Sequence, residues 1–397
     1  NLFKNNKITA EEYYKIIYNK PKLYGYLDVT QDIERYYHQA IFRELKYRNL
    51  YNELDTEQGL SIETYYKKEI EEIIKKSINR YEFEDQVSVV VMKPYSNEVL
   101  ALCGGKNYLD SQYNRALDSY RQIGSTIKPF IYYLGLTQGM TPLSKFTSKP
   151  TTFTLEDGTL YTPNNANNIY ANRKINMVEA LGMSDNIYAV KTTLLVGSKN
   201  VARLLNALGG NITSPTLAIS LGGVEMTPLE LTAAYNTLAS EGKYYPPHFI
   251  KKVSLFNDTI LYLDKRNFST VLKYDETLMI NHLLKSSFDK GLITYSTPTM
   301  ASYQVNSAFA CKTGTTSSSS WTVGFNKDYT VLVYVGSDDN QNLKDGKVSK
   351  KIFRDIVTSL TLNKEENFYS FPSYLKSFKL HNGIYNTYSF NYLTRKN

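Results

Sequence analysis

The stretch RQIGSTIKPFIYYLGL, residues 121–136, decides how this chain is read. Gly124 precedes Ser125, and Pro129 follows Lys128. Proline has no N–H and its ring crowds the preceding turn, so it is tolerated only in the first turn of a helix. A helix must therefore start close to Ser125. Lys128 lies three residues on, on the same helix face and within reach of the Ser125 hydroxyl. That hydroxyl sits at the positive end of the helix dipole. A serine hydroxyl is a poor nucleophile without an adjacent base. A lysine can be that base if it is desolvated or crowded by a second cation, because both lower its pKa. The ordinary reading of SxxK is a helix start with a surface lysine. The same spacing recurs at Ser287/Lys290 and Ser373/Lys376, so spacing alone decides nothing.

Two more motifs follow in order. Ser184-Asp185-Asn186 is SxN, a pattern repeated at Ser77/Asn79, Ser198/Asn200 and Ser389/Asn391. Alone it reads as a helix N-cap. Lys312-Thr313-Gly314 is KTG and occurs once. Lys312 can present a positive charge to a substrate carboxylate and can be the second cation beside Lys128. Thr313 adds a hydroxyl donor, and Gly314 lets a ligand backbone lie against the strand edge. The N–H of Thr315 can join that of Ser125 in an oxyanion hole. Ser184 offers a proton-relaying hydroxyl and Asn186 an amide that can hold a carbonyl.

Outward from these motifs, Val87 to Met92 and Val99 to Cys103 read as a strand hairpin around a KPYSN turn. Gly104 to Gly124 is a polar loop, and Asn164 to Asn176 an Asn-rich one. Helical patterns cover Val178 to Val196, Asn200 to Leu208, Pro228 to Ser240 and Thr277 to Ser287. Strand-like pieces lie at Phe249 to Phe256 and Ile260 to Leu263. Three more strands read at Ala308 to Thr313, Thr322 to Phe325 and Thr330 to Gly336, before a helix at Val348 to Leu360. Two strands, a helical block, three strands and a helix predict a mixed α/β sheet with helices on its faces. Upstream, a short helix, ITAEEYYKIIY, is predicted within Ile8 to Tyr24, with Thr9 and Glu12 as a capping box and Pro21 ending it, and further helices are predicted over Asp28 to Arg48 and over Thr64 to Asn79. Asn49 to Gly59 is polar and turn-like. The tail beyond Asn363 is Tyr/Phe-rich without a clear period.

Composition narrows the classes. Apolar content of 42% and charged content of 21% are globular values, which excludes a disordered or collagen-like chain. No run of about 18 apolar residues could span a membrane. The formal charge of +8 suits a polyanionic surrounding such as a cell envelope, or simply a basic solvated surface. Cys103 and Cys311 cannot make a disulfide framework and read as buried apolar residues. His38, His248, His282 and His381 lack metal-ligand spacing, so no metal and no cofactor are expected. The 35 tyrosines are spread along the chain and read as packing, not as a nucleic-acid platform.

The motif flanks are more specific than the motifs. RQIGSTIKPFIYYLGL, MVEALGMSDNIYAVKTTLLVG, LGGVEMTPLELTAAYNTLASEG and ACKTGTT with WTVGF resemble the transpeptidase domain of class A, bifunctional penicillin-binding proteins, over roughly Val87 to Leu360. NKITAEEYYKIIYNKPKLY resembles the last helix of their glycosyltransferase domain, and YYHQAIFREL and GLSIETYYKKEIEEI resemble their inter-domain linker. The resemblance implies a glycosyltransferase remnant at 1–24, a linker at 25–85, a transpeptidase domain at 86–362 and a tail at 363–397. It implies the β-lactamase-like serine-transferase fold, with a mainly antiparallel five-stranded sheet and a helical subdomain. Ser125 would be the acylated nucleophile and Lys128 its base or proton shuttle. Ser184 and Asn186 would assist proton transfer. Lys312, Thr313 and Thr315 would hold the donor carboxylate and carbonyl, with Gly314 allowing close approach. The implied activity is a peptidoglycan D,D-transpeptidase with carboxypeptidase side activity, acting on D-Ala-D-Ala stem peptides and acylated by β-lactams. Implied too are a membrane-anchored parent on the extracytoplasmic face, a place in a cell-wall synthesis complex, and a chain that is a soluble fragment of that parent.

The chain makes three departures from the family pattern: Ile123 stands where Pro is usual, the stretch Ser317 to Ser320 before Trp321 lacks the Asp often found there and Thr322 stands where Phe is common, and Asp185 stands where an apolar residue is common. Two rivals share the motifs. A class A β-lactamase needs a Glu in an E-x-x-x-N pattern after SDN. Glu225, Glu230, Glu241 and Glu276 are followed four residues on by Leu229, Ala234, Tyr245 and Ile280, so the pattern is absent. A β-lactam-sensing receptor domain would lack the glycosyltransferase-like remnant and linker.

Overall fold

The computed structural model describes residues 7–10, 12–13, 34–51, 60–154 and 158–375. The chain forms two units, Asn1–Asp32 and Ile33–Asn397. In the first, the Thr9 amide donates to the Glu12 carboxylate at 2.8 Å and the Glu12 amide to Thr9 Oγ1 at 3.2 Å, the predicted capping box. The rest of the short helix expected within Ile8 to Tyr24 lies almost wholly outside the described residues.

In the second unit, α1 spans Glu34–Tyr47 and buries Tyr36, Tyr37 and Leu45. The start of the helix expected from Asp28, and most of the turn expected over Asn49 to Gly59, lie outside the described residues. The helix predicted from Thr64 is corrected. Leu60–Thr64 is a strand, β1, and the helix α2 begins only at Lys68, running to Asn79. LSIET alternates, and its burial alternates with it, so Leu60 and Ile62 pair with Leu255 and Val253 of β4 (Ile250–Leu255). Strand β5, Ile260–Leu263, completes this three-stranded sheet.

The main sheet contains β2 (Gln86–Met92), β3 (Val99–Cys103), β6 (Ala310–Thr315), β7 (Ser319–Phe325) and β8 (Thr330–Gly336). Its order is β6-β7-β8-β2-β3 and every pairing is antiparallel. Both faces are covered, which is why its strands read as unbroken apolar runs rather than alternations. On β8, Leu332 and Tyr334 enter one core, with Trp321, Val323 and Phe325. Val331, Val333 and Val335 enter the other, with Ile352, Phe353 and Ile356 of helix α9 (Val348–Leu360) and Ile70 and Ile74 of α2. Cys103 and Cys311 stand on opposite edge strands as free, buried thiols.

The helical block starts with a 3-10 turn at Gly124–Ile127 that leads directly into α3, Lys128–Thr137, with Pro129 in its first turn. The single helix predicted over Val178 to Val196 is corrected to two. Helix α4 is Met177–Gly182 and α5 is Asn186–Val196, with the SxN motif at the break. Helices α6 (Ser198–Ala207), α7 (Pro228–Ala239) and α8 (Tyr274–Leu283) follow. Within the predicted loop at 104–124, a short helix at Arg115–Asp118 buries Arg115, whose guanidinium pairs with Asp338. The described part of the tail packs down: Tyr369 is buried and its hydroxyl donates to Ala239 O at 2.6 Å. Residues 376–397 lie outside the described residues.

Candidate active site

The nucleophile turn is clamped from three sides. The Ile123 amide donates to Val224 O at 3.1 Å and the Gly124 amide to Gly222 O at 3.2 Å. A proline at 123 would have no N–H for the first of these, so Ile123 serves this local pairing. The Tyr235 hydroxyl of α7 donates to Thr126 O at 2.6 Å. Trp321 Nε1, from β7, donates to Gln122 O at 3.0 Å. Gly222, at φ +76°, lies so close that a Cβ there would stand 2.0 Å from Gly124 O.

Edge strand β6 runs against the same turn. A Cβ on Gly314 would meet Ile123 O at 2.6 Å, and one on Gly124 would meet Thr315 N at 3.2 Å. The glycine of KTG is thus required first by the protein's own nucleophile turn. The same contact sets the Thr315 amide against Gly124, the neighbour of Ser125, whose own N–H is the expected partner of that amide in an oxyanion hole. Ser125 is partly exposed and Thr315 exposed, while Thr313 is buried. The Ser317 to Ser320 run is a tied turn. Thr316 Oγ1 meets Ser319 Oγ at 2.8 Å, and Ser320 Oγ reaches Gly346 O at 2.9 Å and Ser349 Oγ at 2.7 Å.

The two lysines meet at Ser184. Lys128 Nζ donates to Ser184 O at 2.6 Å, Ser184 Oγ at 3.2 Å and Asn186 Oδ1 at 2.6 Å. Lys312 Nζ donates to Ser184 Oγ and to Thr313 O, both at 2.9 Å. The Ser184 hydroxyl therefore bridges two amines and keeps its own proton to give. The direct bond expected from Lys128 to Ser125 is replaced by these three, since an ammonium has three donors and the SxN segment supplies three acceptors. Catalytic hydrogen bonds of this kind often close only when a substrate is present.

Both lysines are completely buried. Burial disfavours the charged amine and brings the Lys128 pKa down to about 7, with the Asp185 carboxylate pulling the other way. Lys312 is held well below its ordinary value, mainly by burial and next by Lys128. One lysine of such a pair can be neutral near neutral pH and accept a proton.

The helix N-cap that SxN offered is present at Asp185, but the sequence reading missed the left-handed Ser184 and the loop asparagines that hold the break. Ser184 has φ +60°, a left-handed conformation rare outside glycine. Asp185 caps α5 by accepting from the Tyr188 amide at 2.8 Å. Asn165 Oδ1 accepts from the Asn186 amide at 2.7 Å, and Asn186 Nδ2 donates to Asn164 O at 2.5 Å. The only hint was the PNN step within the Asn-rich loop. The decoy motifs are structural where described: Ser287 Oγ bonds Leu284 O, and Ser77 Oγ bonds Ile73 O. Glu230 is committed to a capping box with Thr227. Among the described residues, no three His, Cys, Asp or Glu side chains converge as a metal site, and no helix is long and apolar enough to cross a membrane.

Comparison with known proteins gives a consistent result. The sequence model described as the penicillin binding protein transpeptidase domain matches residues 87–358. Penicillin-binding protein 2D of Bacillus subtilis (strain 168) is 31% identical over 349 residues, 85% of this chain and 50% of that protein. Penicillin-binding protein 1A of Aquifex aeolicus is 34% identical over 283 residues, 69% of this chain and 38% of that protein. The chain thus spans half or less of these curated relatives. Among solved structures, penicillin-binding protein 1A from Haemophilus influenzae superposes with a TM-score of 0.81 at 17% identity, covering 98% of this chain and 80% of that one. The PonA1 protein from Mycobacterium tuberculosis in complex with penicillin V superposes at 0.72 and 20% identity, covering 86% of this chain and 95% of that one. At these identities the two superpositions establish the fold.

Proposed function

The chain belongs to the penicillin-binding protein transpeptidase family, and from that premise we propose that it is a serine D,D-transpeptidase acting through a Ser125 acyl-enzyme. Ser125 Oγ attacks the carbonyl of the penultimate D-Ala of a stem peptide. A C–O bond forms, the C–N bond to the terminal D-Ala breaks, and the serine proton passes through Lys128 and Ser184 to the departing amine. The ester carbonyl lies between the N–H groups of Ser125 and Thr315. Lys312 and Thr313 hold the donor carboxylate, and Asn186 positions the peptide. An amine from a second stem then attacks the ester, forms the crosslink and returns the proton to Ser125. Water in place of that amine gives carboxypeptidase activity.

The observation that carries this reading is the convergence of Lys128 and Lys312 on one hydroxyl, Ser184 Oγ, beside the clamped Ser125 turn. A β-lactam presents a similar acyl group and carboxylate, so it acylates the same serine. We further assign residues 1–24, 25–85, 86–362 and 363–397 to a glycosyltransferase remnant, a linker, the catalytic domain and a tail. The working site is the extracytoplasmic face of a membrane, within a cell-wall synthesis assembly. Incubation with a fluorescent penicillin, digestion and mapping of the adduct test the proposal. Label on Ser125 alone, lost in Ser125→Ala, is expected. Label on Ser287 or Ser373, or full labelling of Ser125→Ala, contradicts it.

A further inference from the structure

We propose that Asn165 and Asp185 are positioning residues for acylation, forming with Ser148 a buried cradle that holds Ser184 where both lysines reach it and Asn186 where Lys128 does. The inference rests on the transpeptidase reading above. Asp185 is 2% exposed and Asn165 7% exposed. The Asp185 carboxylate accepts from four donors: Tyr188 N at 2.8 Å, Ser148 Oγ at 2.5 Å, Asn165 Nδ2 at 2.7 Å and the Tyr295 hydroxyl at 3.1 Å. Asn165 Nδ2 also donates to Ile169 O at 3.0 Å, and its Oδ1 takes the Asn186 amide. Asn186 Oδ1 then accepts from Lys128. A continuous path of hydrogen bonds thus runs from Asp185 through Asn165 and Asn186 to the lysine.

The path has work to do because Ser184 is strained. Its left-handed backbone turns both its carbonyl and its hydroxyl toward Lys128. Such a conformation persists only when its surroundings over-determine it. Asp185, the residue after Ser184, is itself held by its four donors, and Asn165 ties down the Asn186 amide that follows. A carboxylate here also acts on the site's charge. The charged and titratable groups facing this region are Lys128, Lys312, Lys191 and the phenols of Tyr132 and Tyr295. Asp185 is the anion that favours the protonated form of Lys128 against burial. An apolar residue at 185 could cap no helix and supply no charge, so the departure at this position has a use.

The two residues are separable by experiment. The second-order rate of acylation by a fluorescent penicillin is measured from about pH 5 to about pH 9 for the unaltered chain, Asn165→Ala and Asp185→Asn, with melting curves for each. Asn165→Ala leaves the part-buried Asn186 amide without its acceptor and should slow acylation about 10- to 100-fold. The pH at which its rate is half-maximal should stay near that of the unaltered chain. Asp185→Asn should slow acylation too, and should also move the half-maximal pH downward, because the anion favouring the lysine's proton is gone. A purely structural role would lower the folded fraction without moving the pH profile. If the unaltered chain is acylated and both folded variants match it in rate and profile, the cradle is refuted. Loss of folded signal in both variants likewise refutes it by assigning them to stability alone. If only Asp185→Asn fails to fold, the rate of Asn165→Ala decides. If the unaltered chain itself is not acylated, the transpeptidase reading fails and takes this inference with it.

Discussion

Strand β6 carries Lys312 on an extended backbone paired along its length with β7, whereas the α4–α5 break carries Ser184 on a left-handed one. Lys312 is positioned by the ladder pairing Lys312 with Val323, Thr313 with Thr322 and Gly314 with Trp321. Ser184 is positioned by side chains far away in sequence, Ser148 and Asn165 among them. Yet the two regions meet at one oxygen. A regular element transmits position through its backbone and needs little outside help. A break in regular structure stores strain and must be held by partners that carry no motif of their own.

The largest expected effect tests the convergence itself. Lys128→Ala should slow β-lactam acylation about 10²- to 10⁴-fold with the fold retained, the usual range for a positioned base. Near-unaltered acylation in a folded variant would show that the amine over Ser184 does not carry the serine proton.

The strand side is probed next. Lys312→Ala should weaken acylation by donors bearing a carboxylate more than by esters lacking one, because the proposed lysine–carboxylate contact is lost. Rates measured in parallel on both donor types check this, and equal losses would remove that role.

A glycine pair sharpens the contrast between clamped and unclamped backbone. Gly222→Ala would place a Cβ 2.0 Å from Gly124 O, so the nucleophile turn must shift. Stability should fall by about 1–3 kcal/mol, as for overpacking, and acylation with it. At Gly197, also at positive φ, the nearest atom to a Cβ is 3.6 Å away. Gly197→Ala should cost about 1–2 kcal/mol of conformational strain and leave acylation unchanged. Denaturant melts together with labelling rates separate the two.

The smallest effect concerns the tail. His282 stacks on Phe371 at 4.0 Å between ring centroids, and burial lowers its pKa from 6.5 to about 4. Its neutral form stabilises the fold above about pH 6.5, and that contribution is lost as pH falls toward about 4. The melting temperature should therefore drop by a few degrees between about pH 7 and about pH 5, and His282→Phe should reduce the drop. An unchanged drop in the variant would assign it to other groups.

The same contrast explains what was readable in the sequence. Pro129 announced the start of α3, and the apolar runs of β3, β8 and α9 matched their structural limits because local pattern and tertiary burial agree there. The three motifs named the residues that meet in the site. The break at Ser184 was invisible to periodicity, because Leu181, Met183 and Ile187 keep apolar side chains coming through it. Strand β1 went unread, with only Thr64 drawn into the predicted helix, because five residues between a turn and a helix carry little pattern of their own and only pairing with β4 marks them as a strand. Asn165 and Gly222 act through contacts across 21 and 98 residues, to the Asn186 amide and the Gly124 backbone. No local pattern encodes such contacts.

The central claim is that the neutral form of buried Lys128, made accessible near neutral pH by a pKa of about 7, accepts the serine proton, and the pH dependence of acylation in the unaltered chain tests it most directly. The neutral amine is the reactive form, so the rate should rise with pH, reach half its plateau near the lysine's value of about 7, and level off above about pH 8. A rate that is flat from about pH 5 to about pH 9, or that rises only near the ordinary lysine range, would contradict it.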